Sequence, residues 1–480
     1  MLWCCLLLAC APSSGPKGVG SDSAAPTPPS MGGGSTSAGT PTPGTTATPA
    51  ALPPNVLLVV LDDVGVDKLA TYAAPVPPPT PTLDALAAGG VRFANAWSYA
   101  VCTPSRAALL TGRYGRRTGT SDHIITARDS HSLSLDEVTL PELLAHAPDP
   151  WATALLGKWH LTGVHEPEDL LHPLAQGFDH YAGHMENLSV VYDAPGEAAT
   201  AGYFRWQKNT DGVHAFTDLY ATTDTVEDVL AWVADAPEPW FVTASFAAPH
   251  SPYHVPPARF GLTPEPGAEL AWMYDAMLTV ADAELGRLLD GLGEQRERTL
   301  VIALGDNGTP WEGVRPPHDP ARAKSTVAEG GIHVPLIVSG PGIAPGVSEA
   351  LVHLVDVWPT LAEVAEVDLS AVPTAGPVDG RSLWPQLRDP ATPGREFAYT
   401  ERLSPNGGPP YNRDIRVIRD ARYKLVQRIA VGDVPTWSLH DLTTHLEDGP
   451  DLYSSAMSAE HSAAFDRLSS ALDAQLASFE

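Results

Sequence analysis

Four short apolar runs, each followed at once by residues able to carry chemistry, constrain this chain most. Val56–Leu61 ends in Asp62-Asp63, and Ala152–Leu156 ends in Gly157-Lys158-Trp159-His160. Phe241–Phe246 runs into Ala-Ala-Pro-His250, and Thr299–Leu304 ends in Gly305-Asp306-Asn307-Gly308. The runs show little polar alternation, so they read as strands buried on both faces. Helical stretches lie between them, over Asp224–Ala234 and Leu270–Leu292. A further helix opens at Thr80-Pro81, with Thr80 as N-cap and Pro81 in the first position, and Gly89-Gly90 stop it. Val334–Ser339 reads as another strand. The pattern predicts an α/β fold: a mostly parallel sheet sandwiched by helices.

The flanks differ in texture. Beyond about Gly376, Ile415–Ile418, Tyr423–Arg428 and Trp437–Leu439 read as short antiparallel strands, and Ala456–Ser478 as a closing helix. Residues 11–54 are mostly Pro, Thr, Ser, Gly and Ala, which cannot bury enough apolar surface to fold, and read as a tether. The first ten residues are apolar and too short to span a membrane. Leu-Leu-Ala-Cys10 resembles a bacterial lipoprotein signal that leaves Cys10 lipid-bearing, although the usual basic start is missing. The expected organisation is a signal over 1–10, a linker over 11–54, a catalytic domain over 55–375 and a C-terminal subdomain over 376–480. The expected location is outside the cytoplasm: lipid-anchored at the cell envelope or periplasmic, otherwise secreted.

In an open parallel sheet, ligands bind beyond the carboxyl ends of the strands. Asp62, Asp63, Lys158, His160, His250, Asp306 and Asn307 all follow strand ends. Any one alone could be turn chemistry, since Asp, Asn and Gly also end strands for conformational reasons. Four such groups together favour a site. Asp62, Asp63, Asp306 and Asn307 offer only oxygen ligands, which suit calcium or magnesium better than zinc. His254 is a second histidine near His250.

Cys102 sits in Val101-Cys-Thr-Pro-Ser-Arg106, and the other three of the four cysteines fall in the first ten residues. It therefore has no partner for an intramolecular disulfide in the folding part of the chain. Pro104 suits the first turn of a helix that continues to Gly112, which puts Cys102 at a helix N-terminus with Arg106 one turn along. A buried structural cysteine is the competing reading. Lysine is scarce, so Lys158 and Lys324 at loop positions stand out. The formal charge of −28 argues against nucleic acid and anionic lipid as partners. An anionic substrate would have to be drawn by a local cluster of cations.

These residues resemble the sulfatase family, the formylglycine-dependent branch of the alkaline-phosphatase-like enzymes. The carrier is Cys102-Thr-Pro-Ser-Arg106 followed by Ala-Ala-Leu-Leu-Thr-Gly-Arg. Asn55–Asp63, Thr80–Phe93, Gly157–His160, Gly177–Tyr181, Pro249-His250, Gly305–Gly308, Lys324–Pro335 and Asp356–Ala365 agree, as do Asp420–Leu425 and Leu439–Leu442. The resemblance runs from Asn55 to the end. It implies that a maturation enzyme oxidises Cys102 to formylglycine, whose hydrate attacks the sulfur of a sulfate ester and carries the sulfate covalently. It implies metal ligation by Asp62, Asp63, Asp306, Asn307 and the residue-102 oxygen, with calcium expected over magnesium. Arg106 would stabilise the hydrate, and Lys158 and Lys324 would bind sulfate oxygens. His250 would protonate the leaving oxygen, and His160 would assist release of sulfate. The implied substrate is a sulfated small molecule or glycan. Thr82 stands where the family often has asparagine, and Thr309–Ala323 departs most, which leaves specificity open. The rivals are a phosphonate or phosphate ester hydrolase on the same site, a non-catalytic surface binding protein, and an enzyme using Cys102 as an ordinary thiolate.

Overall fold

The computed structural model describes residues 54–126, 131–191, 201–264, 266–267, 269–430, 432, 434–443 and 447–480. The expected signal over 1–10, and the expected tether as far as residue 53, lie outside the described residues. No helix among the described residues is long and apolar enough to cross a membrane.

Ten strands build the main sheet: Asn55–Leu61 (β1), Val91–Trp97 (β2), Ala152–Lys158 (β3), His180–His184 (β4), Trp206–Thr210 (β5), Val213–Thr217 (β6), Trp240–Phe246 (β7), Thr299–Gly305 (β8), Leu336–Ser339 (β9) and Gly346–His353 (β10). Their order is β10-β2-β9-β8-β1-β7-β3-β4-β5-β6. The five central strands β8, β1, β7, β3 and β4 are mutually parallel. β9, expected as one more strand of that set, runs antiparallel to β8 and β2. The cause lies in its connection. The segment after β8 stays at the carboxyl end of the sheet instead of crossing back, so Leu336 starts opposite Leu304 and the strand runs the other way.

The alternation of β1 divides the core. Val56, Leu58 and Val60 face one layer, which includes the helices Cys102–Thr111 (α2) and Val357–Val364 (α5). Leu57, Val59 and Leu61 face the other, which includes Pro81–Ala88 (α1), Ala221–Asp235 (α3) and Leu270–Gly291 (α4). Both faces are covered, which is why these runs are apolar throughout. α1 begins at Pro81 as expected, but the Thr80 side chain makes no capping bond. Asp282 of α4 caps it instead, accepting from the N–H groups of Thr82 and Leu83 at 2.9 and 2.8 Å. A carboxylate from a packed helix is the stronger acceptor for those free donors.

A second, antiparallel sheet follows: Ala398–Ser404 (β11), Arg413–Arg419 (β12), Tyr423–Ile429 (β13) and Thr436–Asp441 (β14). The helix Ala459–Ala477 (α6) packs Ala464, Leu468 and Leu472 against one face, with Ile418, Leu425 and Leu439. The other face meets the main sheet, where Val417 and Val426 pack with Trp97 and Ile332. A buried ion pair, Lys424 with Glu329 at 3.1 Å, crosses the same contact.

Candidate active site

Strand register brings the polar groups to one level. Leu61, the last residue of β1, lies beside Phe246 of β7 and Gly305 of β8. Gly157 of β3 lies beside Ser245. Asp62, Lys158 and Asp306 thus stand together at the carboxyl ends of β1, β3 and β8, with β7 between β1 and β3. Gly157 has φ +105, and a Cβ there would lie 2.0 Å from the Ser245 carbonyl oxygen, so only glycine allows β3 and β7 to approach this closely. Cys102 is the first residue of α2, a helix buried along its whole length, and Gly112 closes it at φ 68.

The Cys102 thiol points into this cluster. It donates to Asp62 Oδ1 at 3.2 Å and lies 3.8 Å from Asp63 Oδ1. Lys324 Nζ is 3.3 Å from the sulfur and also donates to Asp63. Lys158 Nζ donates to Asp62 Oδ2 and to Asn187 Oδ1, the latter at 2.9 Å. Arg106 donates through Nε to Asp306 Oδ2 at 3.0 Å and through Nη1 to the Lys158 carbonyl at 3.0 Å. It also meets Ser245 Oγ at 2.6 Å. Asp306 Oδ1 accepts from the Asp63 N–H at 3.1 Å, and Asn307 Nδ2 donates to Asp63 Oδ1 at 2.8 Å. Carboxylates and cations thus alternate around one sulfur.

Electrostatics follow from burial and this alternation. Burial opposes the charge on Asp62, yet Lys158, then His250, Arg106 and Lys324, hold its carboxyl well below the usual range. Burial, and then the Asp62 charge, push Asp306 up to about 6 against Arg106. Burial pushes the Cys102 thiol well up, and Asp306 and Asp62 add to that. The cysteine is held as a thiol, which disfavours an ordinary thiolate nucleophile. Burial opposes the charge on Lys324, but Asp63, then Cys102 and Asp62, keep the ammonium fully protonated.

The histidines have fixed tautomers. His160 Nε2 is 2.9 Å from the Ile124 carbonyl and must carry the proton to donate there. Its Nδ1 is buried without a partner, and burial followed by Lys158 lowers its pKa well below the usual range. His160 is therefore a neutral ring with a free lone pair. Strand geometry does not align it with Lys158, because β3 ends at Lys158 and His160 has φ +60. His250 Nδ1 is 2.8 Å from the Ser251 carbonyl, which leaves Nε2 facing Asp63 Oδ2 at 3.9 Å. His254 turns elsewhere: its Nε2 bonds the Tyr220 hydroxyl at 2.9 Å among aromatic rings.

The donor set fits a metal ion. Asp62, Asp63, Cys102 and His250 place ligand atoms within 4.8 Å of one another. Asn307 Oδ1 is buried with no hydrogen-bond partner, an oxygen awaiting a positive charge. Asp306 lies just behind, shared between Arg106 and the Asp63 backbone.

A family model described as Sulfatase matches residues 54–367. The chain belongs to the sulfatase family. It is a sulfuric ester hydrolase with the alkaline-phosphatase-like fold. Arylsulfatase A of Bos taurus is 32% identical over 405 residues, 78% of this chain and 75% of that protein. N-acetylgalactosamine-6-sulfatase of Canis lupus familiaris is 29% identical over 365 residues, 70% of this chain and 66% of that protein. The solved structure of Ps i-CgsB in complex with k-i-k-neocarrahexaose has a TM-score of 0.73 at 22% identity, covering 89% of this chain and 93% of that one. A protein solved with its substrate D-glucosamine-2-N,6-O-disulfate has a TM-score of 0.68 at 20% identity, covering 89% and 98%. At these identities the structural likenesses speak for the fold.

The sulfatase site also contains residues that sequence reasoning missed. Asn187 holds Lys158, and the Tyr274 hydroxyl donates to the Asp63 carbonyl at 2.6 Å. Ser245 Oγ lies between Arg106 and the Lys158 carbonyl, donating to the latter at 2.7 Å. Ser245 carried a signal, a hydroxyl inside the apolar run Phe241–Phe246. Asn187 and Tyr274 carried none, because their roles depend on which elements pack beside the site.

Proposed function

We propose that this sulfatase hydrolyses its ester after Cys102 has been oxidised to formylglycine, with calcium held by Asp62, Asp63, Asp306, Asn307 and residue 102. One observation supports this most: the residue-102 side chain lies 3.2 Å from Asp62 and 3.3 Å from Lys324, at the start of a wholly buried helix. Formylglycine supplies a hydroxyl nucleophile as its hydrate, and calcium supplies fixed positive charge beside the sulfate oxygens.

The other residues have separable roles. Lys158 and Lys324 bind sulfate oxygens and stabilise charge that grows in the transition state without moving a proton. Arg106, clamped by Asp306 and Ser245, holds residue 102 in place. His250, with its Nδ1 proton fixed on the Ser251 carbonyl, gives a proton from Nε2 to the leaving oxygen only as the imidazolium, a state that burial works against and Asp63 and Asp62 support. His160, neutral with a free Nδ1, accepts a proton in the second half of the reaction. This cluster also supplies the local positive charge that an anionic substrate needs in so acidic a chain.

The substrate is a sulfated small molecule or glycan, and a maturation enzyme is the required partner. The apolar start ending in Cys10 supports export with a lipid anchor. Side-by-side turnover of aryl sulfate and aryl phosphate tests the proposal. Sulfate should be the better substrate, and Cys102→Ala should lose roughly a thousandfold or more. Faster phosphate hydrolysis would transfer the site to the phosphoesterases, and full activity in Cys102→Ala would remove residue 102 from the chemistry.

A further inference from the structure

Arg402 is a buried cation with no ion pair among the described residues. Side chains alternate along β11, so Ala398, Thr400 and Arg402 share a face. That face turns toward the segment leading into Cys102. Ala398 packs with Trp97 and Ala100, and Thr400 Oγ1 donates to the Ser98 carbonyl at 3.0 Å. Arg402 is 9% exposed, and its Nε is buried with no hydrogen-bond partner. Arg413 lies on the paired strand β12, on the same face as Ile415 and Val417. Among the described residues, Asp122 is the opposite charge that acts on Arg402. Its Oδ2 is 3.8 Å from Arg413, and its Oδ1 is already held by the His123 N–H and Nδ1 at 3.0 and 3.1 Å. Burial, and then repulsion by Arg413, work against the Arg402 charge, with only Asp122 in its favour.

The loop bearing Asp122 bonds both the residue beside the nucleophile and the segment after β11. Ile124 N–H donates to Thr103 Oγ1 at 3.1 Å, beside Cys102, and the Ile124 carbonyl accepts from His160. Ser121 and Asp122 N–H groups donate to Asn406 Oδ1 at 2.9 and 2.8 Å, just past the end of β11. A buried guanidinium with an open donor is costly to folding, and a second arginine beside it adds to the cost.

We propose that Arg402 and Arg413 form a second anion subsite, which takes a sulfate or carboxylate carried on the leaving-group part of the substrate. The arginine fork suits either group bidentately. The inference rests on the sulfatase reading of the main site and narrows its substrate to multiply anionic sulfate esters.

Calorimetric titration of the full chain carrying Cys102→Ala tests it. The probes are N-acetylglucosamine 6-O-sulfate, glucosamine 2-N,6-O-disulfate, and a 6-O-sulfated hexosamine linked to a hexuronate. The disulfate or the hexuronate probe should bind about tenfold or more tighter than the monosulfate. The gap should close when Arg402→Met is added. Equal binding of all three probes, or a gap that survives Arg402→Met, would overturn the subsite. Melting separates function from structure: removing an uncompensated buried charge should leave Tm unchanged or raise it. A fall of several degrees would make Arg402 a structural residue and overturn the proposal. The sulfatase reading fails separately, by absent sulfate turnover in the native protein, whereas the subsite fails by a missing affinity gap.

Discussion

At the residue scale, His250 illustrates how backbone contacts assign a proton. Its Nδ1 carries the proton donated to the Ser251 carbonyl, so Nε2, toward Asp63, is a lone pair in the neutral ring and holds a transferable proton only in the imidazolium. His250→Asn should lower kcat roughly 10²–10⁴-fold for an alkyl sulfate, whose leaving oxygen needs a proton. The loss should shrink for a nitrophenyl sulfate, which leaves without one. Equal losses on both esters would show that His250 only positions the substrate. The residues that follow apolar runs were legible in the sequence because strand ends expose them in one plane. His160 was legible as a candidate, but its geometry was not: its left-handed conformation and its bond to Ile124 depend on a distant loop. Arg402 gave no signal, because Ala398–Ser404 carries no clear strand pattern in the sequence.

At the element scale, the start of α1 was placed correctly and its cap was not. Thr80 Oγ1 is buried without a partner, while Asp282 satisfies two free N–H groups. Asp282→Ala should therefore cost about 1 kcal/mol and lower Tm by about 1–3 °C, and Thr80→Ala should cost less. Thermal melts giving the reverse order would contradict the capping account. The direction of β9 was hidden for a related reason. A short apolar run has no intrinsic polarity, and only the path of the chain after β8 decides how it pairs. The main strands and long helices were legible because burial on both faces imposes continuous apolar composition. Strands β2, β4, β5, β6, β10 and β11 lack that signature and were missed.

At the scale of the whole molecule, buried histidines set the acid limit. Burial pushes both His184 and His353 to about 3 in the folded chain, against an ordinary value near 6.5. Between those values the unfolded chain binds more protons than the folded one, so stability falls as pH drops through that window. Glu329 acts lower down. Burial opposes its charge, but Lys424 and Arg419 hold it to about 2, so its contribution is complete above its ordinary value of 4.5 and is lost as pH falls through about 2. Urea midpoints should therefore fall from pH 7 to pH 4. A flat or rising midpoint over that range would contradict the neutral burial of these histidines. The two-sheet architecture was legible from the change in texture near residue 376. The Lys424–Glu329 pair that ties the sheets together was not, because its partners are far apart in the chain.

The central claim is that residue 102 works only after it ceases to be a cysteine. The most direct measurement is the mass of the peptide carrying Cys102, taken from active protein made in its native host. The account predicts an aldehyde or its hydrate at that position. An unmodified thiol throughout a fully active preparation would contradict it.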